Sequence, residues 1–155
     1  MTTTAPGAGL PFTLTSRTSF AAWTRIPLRY SDQDPLGHVN NGALPMSLEQ
    51  ARVELVYPLM RTHAVPTLEL VLARTLIDYL HELTYPGIIE VGSRISRVGT
   101  KSFTTAHGIF KAGSDRAVGT SECVLVFFDT ETRRAVAPPA PLRAALVALM
   151  EAPPA

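Results

Sequence analysis

Ala43-Leu44-Pro45-Met46-Ser47-Leu48-Glu49-Gln50-Ala51-Arg52-Val53-Glu54-Leu55-Val56-Tyr57-Pro58-Leu59 is the stretch that decides the fold. Leu44, Leu48, Ala51, Leu55 and Leu59 recur at intervals of three and four, the spacing of one apolar face of a helix. Asn40 or Asn41 can cap its start, Pro45 is tolerated only in the first turn, and Pro58 ends the regular helix or kinks its last turn. From Ala43 to Tyr57 the expected length is about 22 Å at 1.5 Å per residue. Downstream, the chain reads as antiparallel strands. Leu68 to Leu83 is β-rich, as two strands or one long bent strand. Ile88 to Val98, Ser102 to Lys111 and Ala117 to Phe128 follow, with Tyr85-Pro86-Gly87 and Ala112-Gly113-Ser114-Asp115 as turns, Gly87 at the position that needs a positive φ. Upstream, Trp23 to Tyr30 alternates as a strand and Ser31 to Asn41 is a polar loop. One early helix followed by a meander of long strands predicts an α+β fold, a curved antiparallel sheet of about five strands wrapped round a long central helix.

The rest of the chain sets limits. Residues 1–20 read as a loose N-terminal extension, 21–137 as the folded domain, and 138–155 as a tail. A short helix is possible in that tail at Leu142, Ala145, Leu146 and Leu149. With 155 residues, 46% hydrophobic and 17% charged, the chain can bury a core and is not intrinsically disordered. A net charge of +1 without a basic stripe argues against a nucleic-acid partner. No window approaches the roughly 20 apolar residues of a membrane span, and Met1 to Pro11 lacks a secretory pattern, so a cytoplasmic protein with no membrane partner is expected. Cys123, the single cysteine, has no intrachain disulfide partner. It lies in an apolar run with nothing cationic flanking it, and reads as a small buried hydrophobe.

The most specific segment is Arg29-Tyr30-Ser31-Asp32-Gln33-Asp34-Pro35-Leu36-Gly37-His38-Val39-Asn40-Asn41, followed by Glu49-Gln50-Ala51-Arg52. Over roughly residues 25 to 136 the chain resembles the 4-hydroxybenzoyl-CoA thioesterase-like family of hotdog-fold acyl-CoA thioesterases. Members of that family carry Asp-x-Asp-x-x-Gly-His-Val-Asn-Asn at the turn into the central helix and Glu-x-Ala-Arg on it. The resemblance implies a hotdog fold that hydrolyses an acyl-CoA substrate without metal or cofactor. It also implies a dimer, often paired into a tetramer, with sites built across the subunit interface. Asp34 is by resemblance the catalytic carboxylate, attacking directly or acting as base on water, and the Asn41 N–H is the main carbonyl donor. Helix-start N–H groups at Asn41 and Gly42 suit a developing oxyanion on physical grounds as well.

Other residues carry weaker readings. His38 either steers Asp34 or the thioester, or is a half-buried loop histidine. Glu49 is a second candidate carboxylate, because a second branch of hotdog thioesterases places its carboxylate on the helix. Glu49 could also be a partner across the site from Asp34, and its plain alternative is a helix-surface Glu in a local pair with Arg52 or with Val53's neighbours. Asp32 and Asn40 read as loop-ordering and capping residues. Thr100-Lys101-Ser102 is by resemblance the turn that contacts coenzyme A phosphates. Leu44 and Pro45 depart from the family, where an aromatic is usual at the helix start. His63, His81 and His107 lack metal-ligand spacing, and neither a Gly-x-Ser-x-Gly elbow nor a supported Ser–His pair is present. Two other functions fit: a hotdog hydratase or dehydratase, for which only His38 could serve, and a non-catalytic acyl-CoA or acyl-carrier binding protein.

Overall fold

The computed structural model describes residues 6–7, 9–63 and 65–153. Strand β1 (Ala22–Pro27) leads through a 3-10 turn at Tyr30–Asp32 into helix α1 (Ala43–His63). Strands β2 (Leu68–Tyr79), β3 (Ile88–Val98), β4 (Ser102–Lys111) and β5 (Ala117–Asp129) follow, then the short β6 (Arg134–Ala135) and helix α2 (Ala140–Glu151). The sheet order is β1-β3-β4-β5-β2, every pairing antiparallel, with β6 beside β5. Register shifts at Leu72/Arg74 in β2 and Ile95/Arg97 in β3 are bulges that increase the local twist and let the long strands curl. A long helix cradled by a curled antiparallel sheet is the hotdog arrangement.

Helix α1 differs from its sequence reading at the far end. It does not stop at Pro58 but runs on to His63. The ring withholds one N–H, yet Leu59 and Met60 beyond it pack on the core cluster of Val56, Leu68 and Phe103. The buried face contains Leu44, Ser47, Leu48, Ala51, Arg52 and Val56, so it is wider than the apolar stripe alone and includes a cation. At the near end Leu44 and Leu48 pack on Ile89, Val91, Ile109 and Val118 of the sheet.

Both chain ends pack against the sheet. Residues 1–5 and 8 lie outside the described residues, but the rest of the supposed loose extension is packed. Leu14 and Phe20 are buried against Ala106, Phe110 and Ala117 on the outer face of the sheet. The sheet is thinned there to admit them: a Cβ on Gly92 would sit 2.6 Å from the Phe20 ring, and one on Gly108 would sit 2.4 Å from the Leu14 carbonyl oxygen. The C-terminal helix is likewise part of the domain. Leu142 and Leu146 are fully buried with Ile95 and Phe127, in the same core cluster that Val56 of α1 enters. Residues 68–83 form one strand to Tyr79, not two. Tyr85–Pro86 is cis and Gly87 does not adopt a positive φ, whereas Gly113 in the β4–β5 turn does, at 77°.

Candidate functional site

The loop between β1 and α1 is ordered from its first residue. Asp32 is buried and accepts from the Arg29 backbone N–H and from its Nε and Nη2, at 2.7–3.0 Å. The hydrogen bond from Arg29 holds the Asp32 carboxyl below the usual carboxylate range against the opposing effect of burial. The Asp32 carbonyl then accepts from Asn40 N–H at 2.7 Å, closing the loop on itself. Within that closure Asp34 makes an Asx-type turn: its Oδ1 accepts from the N–H groups of Leu36 at 2.9 Å and His38 at 3.2 Å. Its backbone N–H donates to the His38 carbonyl at 2.8 Å. The second oxygen, Oδ2, has no partner among the described residues.

The helix start corrects one expected donor. Asn40 Oδ1 accepts from Gly42 N–H at 2.7 Å, and its carbonyl accepts from Ala43 N–H at 2.8 Å. Asn40 is therefore the cap, and the Gly42 N–H is already engaged. The Asn41 N–H has no acceptor among the described residues, and the Asn41 carbonyl accepts from Tyr79 Oη at 3.1 Å. Asp34, His38, Asn41, Leu44 and Tyr79 line one cleft of about 270 Å³ with the segment Leu80–Leu83. His38 Nε2 lies 3.3 Å from Glu82 Oε2, both side chains largely in solvent.

Other expected site residues lie elsewhere. Glu49 is exposed on α1 and lines the groove between α1 and β2, not the Asp34 cleft. It makes no ion pair with Arg52, so that local reading fails. Thr100 and Lys101 are exposed in the β3–β4 turn, where the Lys101 carbonyl accepts from Phe127 N–H at 3.0 Å. That turn sits at the opposite end of the sheet. β5 pairs Gly119 with Tyr79 at the cleft end and Val126 with Ser102 at the turn end. Seven residues of strand separate those levels, about 23 Å at roughly 3.3 Å per residue. One chain alone does not bring Asp34 and Lys101 together.

Three features were missed in the sequence. Tyr79 and Glu82 reach the cleft only through the end of β2 and the loop behind it, and no local motif marks them. Arg52 is buried, and its Nη1 donates to Cys123 Sγ at 3.5 Å, so the thiol does have a cationic neighbour, from 71 residues away. Beneath it His107 is fully buried between Ser93 Oγ and Thr105 Oγ1, each at 2.8 Å. A Ser–His pair thus exists, but it is sealed in the core, where burial and then the charge of Arg52 push the imidazole down to about 3. Among the described residues, no three His, Cys, Asp or Glu side chains converge to hold a metal ion. No helix of the described chain is long and apolar enough to cross a membrane.

A family profile described as the thioesterase-like superfamily matches residues 28–146. No curated protein matches the chain. Solved structures do. A predicted thioesterase from Bacillus stearothermophilus is 26% identical, with a TM-score of 0.76, covering 85% of this chain and 98% of that one. A thioesterase of Thermus thermophilus, solved with coenzyme A and Zn, is 29% identical, with a TM-score of 0.72, covering 86% and 97%. A Pseudomonas aeruginosa protein is 27% identical, with a TM-score of 0.75, covering 87% and 95%.

Proposed function

The chain belongs to the thioesterase-like superfamily, and from that premise we propose that it is an acyl-CoA thioesterase releasing a free acid and coenzyme A. The observation that carries this reading is the cleft in which Asp34 stands with the unengaged Asn41 N–H at the start of α1. Attack on a thioester carbonyl creates an oxyanion, and an unengaged helix-start N–H beside the cleft can receive it. Losing one such donor typically costs about 2.7–4 kcal/mol of barrier. The Asx turn holds Asp34 by Oδ1 and leaves Oδ2 for the reaction, either as base on water or as nucleophile giving a mixed anhydride. Coenzyme A bound to the Thermus relative supports a CoA-borne substrate. Free-thiol release over a panel of acyl-CoA thioesters tests the reading.

A second subunit completes the site in this proposal. The outer edge of β2 has no strand partner among the described residues, and Met46, Val53, Tyr57, Val71, Leu72 and Tyr79 expose apolar surface beside it. Antiparallel pairing of two β2 edges about a two-fold axis sets the Lys101 end of one subunit toward the Asp34 end of the other. That geometry gives one CoA both a phosphate contact and a catalytic carboxylate. Light scattering at assay concentration is expected to report at least a dimer, and activity per subunit to fall on dilution below the dimer constant. A fully active monomer refutes the composite site. Lys101→Ala is expected to raise KM for acyl-CoA with little change in kcat, and to spare a truncated acyl-pantetheine substrate. Equal damage to both substrates makes Lys101 structural.

The His38–Glu82 pair favours one rival, since a hydratase or dehydratase needs a histidine with an acid partner. Exposed pairs of this kind contribute little. The thiol assay separates the two, because a hydratase alters the acyl group and leaves the thioester intact.

A further inference from the structure

We propose that Arg52 forms an anion subsite in the groove between α1 and β2, and that the acyl group taken by this protein carries a carboxylate remote from its thioester. The inference rests on the acyl-CoA reading above and names the substrate class for that site.

Arg52 is only 7% exposed. A guanidinium offers five N–H donors in a planar fork. Here one of them reaches the weak sulfur acceptor of Cys123, and no carboxylate lies within 4 Å among the described residues. Arg52 is nevertheless not sealed in: Arg94 Nε is the one side-chain polar atom that is both sealed and unpaired among the described residues. The remaining Arg52 donors are therefore unpaired but not sealed among the described residues, and Arg52 lines the groove.

The groove has two lobes, of about 440 and 520 Å³, and Glu49, Arg52 and Leu72 line both. Val56, Leu68 and Leu125 make one lobe apolar, and Tyr79 belongs to the other lobe and to the Asp34 cleft alike. An acyl chain leaving the thioester at Asn41 thus has a continuous wall to follow. The nine helical steps from Ala43, at the helix start beside Asn41, to Arg52 span about 14 Å at 1.5 Å per residue, less the lean of the side chain toward the helix start. The anion therefore belongs at the far end of an extended acyl group. A buried cation without a counter-ion is costly, and a carboxylate seated there gains a charge-assisted, two-pronged contact. A methyl end gains nothing equivalent and leaves the guanidinium desolvated. Glu49 stays exposed at the rim, free of Arg52.

The test uses the full-length protein and pairs of CoA thioesters of equal chain length, one ending in methyl and the other in carboxylate. At the matching length the carboxylate-ended substrate is expected to be favoured by at least about tenfold in kcat/KM. Arg52→Gln is expected to bring that ratio to about one, and Arg52→Lys to keep part of it. Thermal unfolding of each variant establishes that it is folded, and the lysine variant serves if the glutamine one is not. No preference in the parent protein, or a preference that survives in folded Arg52→Gln, overturns the proposal. A second reading does not depend on hydrolysis: a free linear dicarboxylate should raise the melting temperature of the parent but not of Arg52→Gln. If no thioester is cleaved yet that shift appears, the function reading fails and the anion site stands. If neither occurs, both fall. Loss of the dimer in both Arg52→Gln and Glu49→Gln, with no change in selectivity, assigns the cation to a second copy's carboxylate and also overturns it.

Discussion

Asp34→Asn is expected to lower kcat by about a hundredfold or more, the usual scale for a positioned base, while leaving the melting temperature and KM close to those of the parent. The structure makes this substitution cleaner than most. Asparagine keeps the Oδ1 that accepts from the Leu36 and His38 N–H groups, so the Asx turn survives. Only Oδ2, which has no partner among the described residues, is exchanged for an amide nitrogen. Loss of activity therefore reports chemistry and not loop collapse. Steady-state thiol release beside thermal unfolding measures both quantities. Should a folded Asp34→Asn protein keep its kcat while Glu49→Gln is inactive, the helix carboxylate takes the role. Glu49 lies outside the Asp34 cleft of its own chain, so that outcome would require the reaction to occur in the α1–β2 groove.

The second large effect is on stability in acid. His107 is pushed from the ordinary 6.5 to about 3, first by burial and then by the charge of Arg52. An unfolded histidine takes up a proton near 6.5, whereas the folded one resists until about 3, so between those values the unfolded state binds more protons. Stability is thus fully present above about pH 6.5 and is lost as the pH falls toward 3. The slope approaches about 1.4 kcal/mol per pH unit, and the whole window is worth on the order of 5 kcal/mol. Asp32, held low by Arg29, adds its own loss once the pH falls through the ordinary 3.8, near the foot of the same window. Urea titrations across the window should show the falling limb in the parent and a flatter one in His107→Gln. That variant should also start from a lower neutral-pH stability, having disturbed contacts to Ser93 and Thr105. Identical slopes in the two proteins would mean that His107 is protonated in the folded state or hydrated there.

Some of these features were legible without coordinates, for reasons that are local. The three-and-four recurrence from Leu44 to Leu59 is a property of one segment, and so are the alternating strands Ile88–Val98 and Ser102–Lys111, whose bounds match. Asp32 and Asn40 read as ordering residues because their hydrogen-bonding reach is a few residues, and the structure gives them those partners. Local rules failed where packing outweighed propensity. Pro58 breaks one helical hydrogen bond, but burial of Leu59 and Met60 outweighs that loss and carries α1 to His63. A tail rich in Thr, Gly and Pro looks loose until Gly92 and Gly108 are seen to open a seat for Phe20 and Leu14.

By itself, the sequence determined the fold class, the family and the Asp34–Asn41 loop, because hydrophobic period, turn chemistry and a contiguous motif all act over short distances along the chain. Only the tertiary structure decided what meets across it. It engaged the Gly42 N–H, set Glu49 and Lys101 away from Asp34, and placed Glu82 beside His38. It also buried Arg52 against Cys123 above a neutral His107. Those outcomes depend on which strand ends lie together and on how much water remains between groups far apart in sequence, and neither quantity is written in any local stretch of residues.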